Sequence, residues 1–129
     1  MPQIIVEYTE SFRSQVADWF EESIEQELRR HCAELFSVKE WRLKPDDFSF
    51  DFRSIKPPSS STDDVVIRIA LHNFEERVAK MEEHAETIKL VVAWVVKRAN
   101  PGGWITWPTV GVSLSYMPIA WSSGSVYYG

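Results

Sequence analysis

Pro2 is the residue with the clearest capacity for chemistry: the chain opens Met1-Pro2 and runs directly into Ile4-Ile5-Val6-Glu7-Tyr8. Once the initiator methionine is removed, the proline nitrogen is a secondary amine held in a ring, with a lone pair that can take a proton. Free α-amino groups titrate near ~8, and an apolar pocket lowers that value because it disfavours the charged form. An amino-terminal proline at the head of a buried strand is therefore suited to act as a general base at neutral pH. With Met1 in place the nitrogen is an amide, and proline is then simply a residue tolerated at the start of a strand. Proton abstraction beside a carbonyl also needs a group that stabilises the developing charge. An arginine forked onto a carboxylate supplies orientation and charge in one contact.

Other chemistry finds little support. His31, His72 and His84 have no metal-ligand spacing with one another or with Cys32, so no metal is expected. Cys32 ends an apolar helical stripe and reads as a core thiol. Ser122-Ser123-Gly124-Ser125 reads as a turn, since no glycine-rich fingerprint precedes a helix there. Glu21, Glu22, Glu25 and Glu27 belong to a solvated helix face, as do Glu82, Glu83 and Glu86.

These residues must be positioned by a chain of 129 residues, which predicts a single domain over 1–129. A composition of 44% apolar and 26% charged residues is that of an ordinary soluble protein. The net charge of −5 argues against a nucleic-acid surface, which is usually basic. The longest apolar run, Leu90 to Val96, is too short for a bilayer, and no signal peptide is visible. One cysteine fits a reducing cytoplasm.

The chain then reads as one plan written twice, with pseudo-repeats over 1–56 and 64–121 and a linker over 57–63. Pro2–Tyr8 is strand-like, and Thr9-Glu10-Ser11 turns the chain. Phe12, Val16, Phe20, Ile24, Leu28 and Cys32 recur every four residues, one face of a single helix. In Asp47–Ile55, Phe48, Phe50 and Phe52 alternate with Ser49, Asp51 and Arg53, the period of a half-buried strand. Val65, Ile67, Ile69 and Leu71 form the next strand. Asn73 and Glu76 have capping-box spacing for a helix whose stripe is Val78, Met81, Ala85, Ile88, Val92, Val95 and Ala99. Asn100-Pro101-Gly102-Gly103 stops it, and Val110, Val112 and Leu114 begin the last strand.

The order β-α-β, β-α-β requires parallel strands within each half. The predicted fold is α/β, a two-layer sandwich of a four-stranded sheet with two helices on one face. The other face is bare, and with seven phenylalanines and six tryptophans in the chain it is expected to be covered by further subunits.

The opening Met-Pro, the strand Ile-Val-Glu-Tyr and the tandem β-α-β plan resemble the tautomerase superfamily. The segment Asp63 to Arg77 is similar to the third strand and following turn of its 5-carboxymethyl-2-hydroxymuconate isomerase branch. The resemblance implies a cofactor-independent homotrimer whose open sheet faces form a central barrel. It further implies a site at each subunit boundary for a small carboxylate substrate, with no nucleic-acid or membrane partner. It makes Pro2 the catalytic base and Arg77 a substrate-carboxylate ligand. The family's second-strand arginine falls on Ser49; Arg53 shares that face but lies roughly 13 Å on at ~3.3 Å per residue. Arg42 precedes the strand and could reach in from its loop.

Each arginine also has a plainer reading. Arg77 could be a solvated residue in the first helical turn, and Arg13 a surface helix charge that could otherwise enter a site at a strand end. Arg68, opposite the helix-facing side of its strand, reads as a barrel or intersubunit ion-pair residue. Trp104, Trp107, Tyr116, Trp121, Tyr127 and Tyr128 could wall a pocket around Pro2 or form core and interface. The expected activity is tautomerisation or double-bond isomerisation of a small unsaturated or enol acid. The alternatives are a hydratase or dehalogenase acting on a related acid, and a catalytically silent scaffold or small-ligand binder.

Overall fold

Ile4, Val6 and Tyr8 alternate with Gln3, Ile5 and Glu7, and that alternation sets the first strand of the sheet. The computed structural model describes residues 2–39, 41–55, 63–72, 74–100 and 109–117. Among them, strands β1 (Gln3–Thr9), β2 (Ser49–Ile55), β3 (Val65–His72) and β4 (Val110–Met117) form one sheet in the order β2-β1-β3-β4. β1 pairs with β2 and β3 with β4 in parallel, as two β-α-β halves require. The halves join through an antiparallel β1–β3 pair, with Gln3 across from Ala70 and Tyr8 across from Val65.

Ile4, Val6, Val65, Ile67, Ile69 and Leu71 are fully or almost fully buried on one face. Helices α2 (Phe20–Phe36) and α4 (Met81–Arg98) cover that face. Ile24, Leu28, Cys32, Ile88, Val92 and Val96 belong to the same core as those strand residues. Burying an aliphatic side chain of this kind stabilises by about 1.5–3 kcal/mol, so the shared core locks helices to sheet. The predicted two-layer α/β architecture is the one observed.

Both helical segments differ from the single helices read from periodicity. Thr9 does not turn the chain; its Oγ1 accepts from the Phe12 amide at 3.1 Å and caps the short helix α1 (Glu10–Arg13). The chain then leaves helical geometry, because the Ala17 amide donates to Ala99 O at 2.6 Å instead of to a carbonyl four residues back. Phe12, Val16 and Phe20 are all buried nonetheless. A stripe of spacing four therefore survives a break in the helix.

The second segment divides into α3 (Glu75–Ala79) and α4, with Lys80 at φ −112°, ψ 20° between them. The break alters the inward face. Val78 and Met81, predicted on the apolar stripe, are exposed, whereas Arg77 and His84 are buried. The proposed Asn73 cap, most of the 57–63 linker and all the C-terminal aromatic residues except Tyr116 lie outside the described residues.

The uncovered face of the sheet is polar. Arg68 pairs with Glu7 at 2.8 Å and Arg53 with Asp51 at 3.0 Å, all within one chain. Gln3, Ile5, Arg68, Ala70, Ser113 and Ser115 line a shallow depression of about 200 Å³ there. No helix among the described residues is long and apolar enough to cross a membrane.

Candidate functional site

Pro2 sits at the head of β1 and is buried. Its carbonyl accepts from the Ser49 amide at 2.9 Å, which fixes the start of β1 against β2. Ser49 Oγ lies 3.4 Å from the same oxygen. A serine therefore contacts Pro2 at the position where the family resemblance places an arginine. On the other side, β3 runs antiparallel. Continuing the Gln3–Ala70 register by one residue sets Pro2 across from Leu71.

Arg77 closes this end of the molecule. It is only 2% exposed, the largest fully buried side chain among the described residues. Its Nε donates to Phe36 O at 2.7 Å and its Nη1 to His72 O at 2.8 Å, while Nη2 is buried without a partner. The guanidinium carbon lies 4.7 Å from the Phe74 ring centre. Tyr116 on β4 donates to Arg77 O at 3.3 Å. Burial lowers the Arg77 pKa from that of a free guanidinium, but the group stays cationic at any physiological pH. Burial also raises the Tyr116 phenol, an effect that the Arg77 charge opposes.

The loop after α2 brings Trp41 into the same cluster. Val38 and Trp41 exchange two backbone hydrogen bonds of 3.0 and 3.1 Å. Ser37 Oγ accepts from the Leu43 amide and donates to Ala33 O, both at 2.7 Å. The loop is thereby pinned to the end of α2. Trp41 stacks on His72 with centroids 4.9 Å apart and packs edge-on against Phe74.

His72 Nδ1 is buried without a partner. Burial lowers the His72 pKa, and the nearby Arg77 positive charge acts in the same direction. His84 is similar: burial, Lys80 and Arg77 lower it against an opposing Glu83, and its ring packs edge-on against Phe36 at 5.0 Å. A cavity of about 490 Å³ opens beside this cluster, between the end of α2 and the α3–α4 junction. Arg77, Lys80 and His84 line it together with Glu34 and Glu76, and Pro2 does not.

Of the arginines singled out in the sequence, Arg77 and Arg42 lie at the Pro2 end of the sheet. Arg42 is exposed, on the rim of a second cleft shared with Arg30 and Glu34. Arg53 and Arg13 lie at the other end. Arg53 pairs in register with Glu7, five residues beyond Pro2 or roughly 16 Å at ~3.3 Å per residue. Arg13 follows β1 and lies 3.8 Å from Glu21. A single chain therefore brings only Arg77 and Arg42 toward Pro2. Reading the sequence did not single out His72, Trp41 or Phe74 for this cluster. No local signal marks them, because antiparallel pairing and a loop bridge assemble it. Among the described residues, no group of three or more His, Cys, Asp or Glu side chains is placed to hold a metal ion.

No known family model and no curated protein matches the chain in sequence. Solved structures do match it in shape. N1, a member of the cis-3-chloroacrylic acid dehalogenase family, is 12% identical with a TM-score of 0.63, over 97% of this chain and 80% of that one. A malonate semialdehyde decarboxylase, described with decarboxylase and hydratase activities, is 13% identical with a TM-score of 0.56, over 98% and 92%. A fused 4-OT symmetric trimer is 8% identical with a TM-score of 0.52, over 90% and 85%. The chain shares the tautomerase-like β-α-β fold of these solved structures.

Proposed function

We propose that the chain is a cofactor-independent tautomerase or isomerase that moves a proton on a small unsaturated or enol carboxylic acid. Pro2, freed by removal of Met1, is the general base. The reading rests on one observation: Pro2 is buried at the head of β1, beside the strand end where Arg77 is held. An apolar surrounding keeps the amine unprotonated at neutral pH. Arg77 Nη2 is the donor left to meet a substrate carboxylate, with Arg42 on the nearby loop as the second cation.

Arg13 and Arg53 join the site only when a neighbouring subunit supplies them. That fits a homotrimer packed through the uncovered sheet face, and the fused 4-OT structure is such a trimer. The Asp63–Arg77 segment and the Met-Pro opening favour the 5-carboxymethyl-2-hydroxymuconate isomerase branch. The dehalogenase and decarboxylase structures keep a lyase reaction on a related acid as the neighbouring reading within this fold.

A second reading, a silent scaffold or small-ligand binder, draws on the geometry of Arg77. Two of its five N–H donors already hold backbone carbonyls and its Nη2 is buried, so the guanidinium is engaged in the fold itself. The test is the intact mass of the protein from its own host, followed by turnover of a panel of small enol acids. A free Pro2 with turnover abolished in Pro2→Ala supports the enzyme. A retained Met1, or equal rates in the two proteins, leaves the binding reading.

A further inference from the structure

The cavity between the end of α2 and the α3–α4 junction has a floor and a rim of different chemistry. Arg77 and His84, 2% and 7% exposed, belong to its buried part together with Val38. Glu34, Glu76 and Lys80 are exposed residues at its edge. Its volume of about 490 Å³ falls within the roughly 300–1,000 Å³ of small-molecule sites.

The buried part is short of hydrogen bonds. Arg77 Nε and Nη1 hold the carbonyls of Phe36 and His72, but Nη2 is buried without a partner. His84 Nδ1 is buried without a partner as well. Two residues lining one cavity thus each leave a polar atom unsatisfied, where buried polar groups are nearly always paired. The Arg77 charge is also uncompensated: its carbonyl partners are neutral, and among the described residues no aspartate or glutamate pairs with it. A buried cation without an anion is costly. An oxyanion on the floor would accept from Nη2 in a charge-assisted bond, and from His84 when the ring proton is on Nδ1. Helix α4 starts at this cavity, with Lys80 as its N-cap and no capping side chain. The positive end of its dipole favours the same charge.

The rim selects the other end of the ligand. Glu34 and Glu76 outnumber Lys80, so the edge is net negative. It repels a second carboxylate and attracts an ammonium group.

We propose that this cavity binds a small amino acid. Its carboxylate meets Arg77 Nη2 and His84 Nδ1 on the floor, and its ammonium lies among the rim carboxylates of Glu34 and Glu76. The site uses the nitrogen that the tautomerase reading offers to a substrate carboxylate, but it makes no use of Pro2, which does not line the cavity.

The experiment titrates the full chain with three four-carbon ligands, 4-aminobutyrate, butyrate and succinate, by calorimetry and by nitrogen-edited NMR of the histidines. 4-Aminobutyrate is expected to bind tightest and succinate weakest, with the His84 resonances shifting on binding. Combining Glu34→Gln with Glu76→Gln, both at exposed positions, should weaken 4-aminobutyrate roughly 10-fold and leave butyrate unchanged. His84→Phe keeps a ring against Phe36 without Nδ1, and should weaken both acids. No binding of any ligand, or succinate binding as tightly as 4-aminobutyrate, overturns the inference. So does binding that leaves His84 unshifted. Wild type and Pro2→Ala are expected to bind alike, and loss of binding in Pro2→Ala would overturn the inference by assigning the ligand to the strand end. Enol-acid turnover is no part of the test, so this inference and the tautomerase reading can each fail alone.

Discussion

Arg77 reaches back from α3 to the carbonyl of His72, Nη1 to O at 2.8 Å, while its Nε holds the carbonyl of Phe36 at 2.7 Å. One buried cation thus ties the last residue of β3 to the last residue of α2. A guanidinium does this well because its donors diverge in a fixed plane, so two carbonyls on different elements can share it. The same bonds set the backbone that carries the His72 ring.

Arg77→Ala should therefore cost stability before it costs binding. Two carbonyls, one in a buried bond and one in a partly buried bond, lose their donors, at about 1–3 kcal/mol each. We expect urea unfolding to show a loss of roughly 2–5 kcal/mol. A loss below ~1 kcal/mol would mean that water or a neighbouring group satisfies both carbonyls.

Cys32 should be silent in the native protein. It has no exposed surface, and burial raises its thiol to about 12. The thiolate is the reactive form, so a thiol reagent at pH 8 should label it only after denaturation. Rapid labelling of the folded protein would contradict its place in the core.

Tyr8 gives a pH dependence. Burial first, then its hydrogen bond to Glu21 and the Glu21 charge, raise the phenol to about 12 against a weaker effect of Arg13. The folded state holds this proton more tightly than the unfolded chain, where tyrosine titrates near ~10. The stabilisation is complete below about pH 10 and is lost as pH rises toward 12. Tyr8→Phe should flatten the alkaline limb of the stability profile measured by denaturant titration. Parallel limbs in both proteins would show that Tyr8 is not the group responsible.

Arg53→Ala should leave stability within ~0.5 kcal/mol, since its ion pair with Asp51 lies at the surface. If a neighbouring subunit presents this face to the site, KM for the enol acid should rise roughly 10-fold. An unchanged KM would confine carboxylate binding to the Arg77 and Arg42 end.

Much of the framework was legible in the residues. Phe48, Phe50 and Phe52, and Val65 through Leu71, announce their strands by a period of two. Two β-α-β units require two parallel pairs. The helical stripes were harder. Phe12, Val16 and Phe20 keep their spacing across a broken helix, because burial requires only that each side chain reach the core. Val78 and Met81 fit the stripe but face solvent, since the bend at Lys80 turns Arg77 inward. Hydropathy could not foresee that exchange, because it ranks a guanidinium as a surface group unless its backbone partners are known.

The sequence by itself determined the alternation of faces, the tandem plan and a proline placed to begin a strand, because these depend on neighbours a few positions apart. The tertiary structure decided that β1 meets β3 antiparallel and that Arg13 and Arg53 lie at the far end of the sheet from Pro2. It also decided that Arg77 is a buried clamp. Strand order and partner choice come from hydrogen bonds between segments dozens of residues apart, and no local period encodes them.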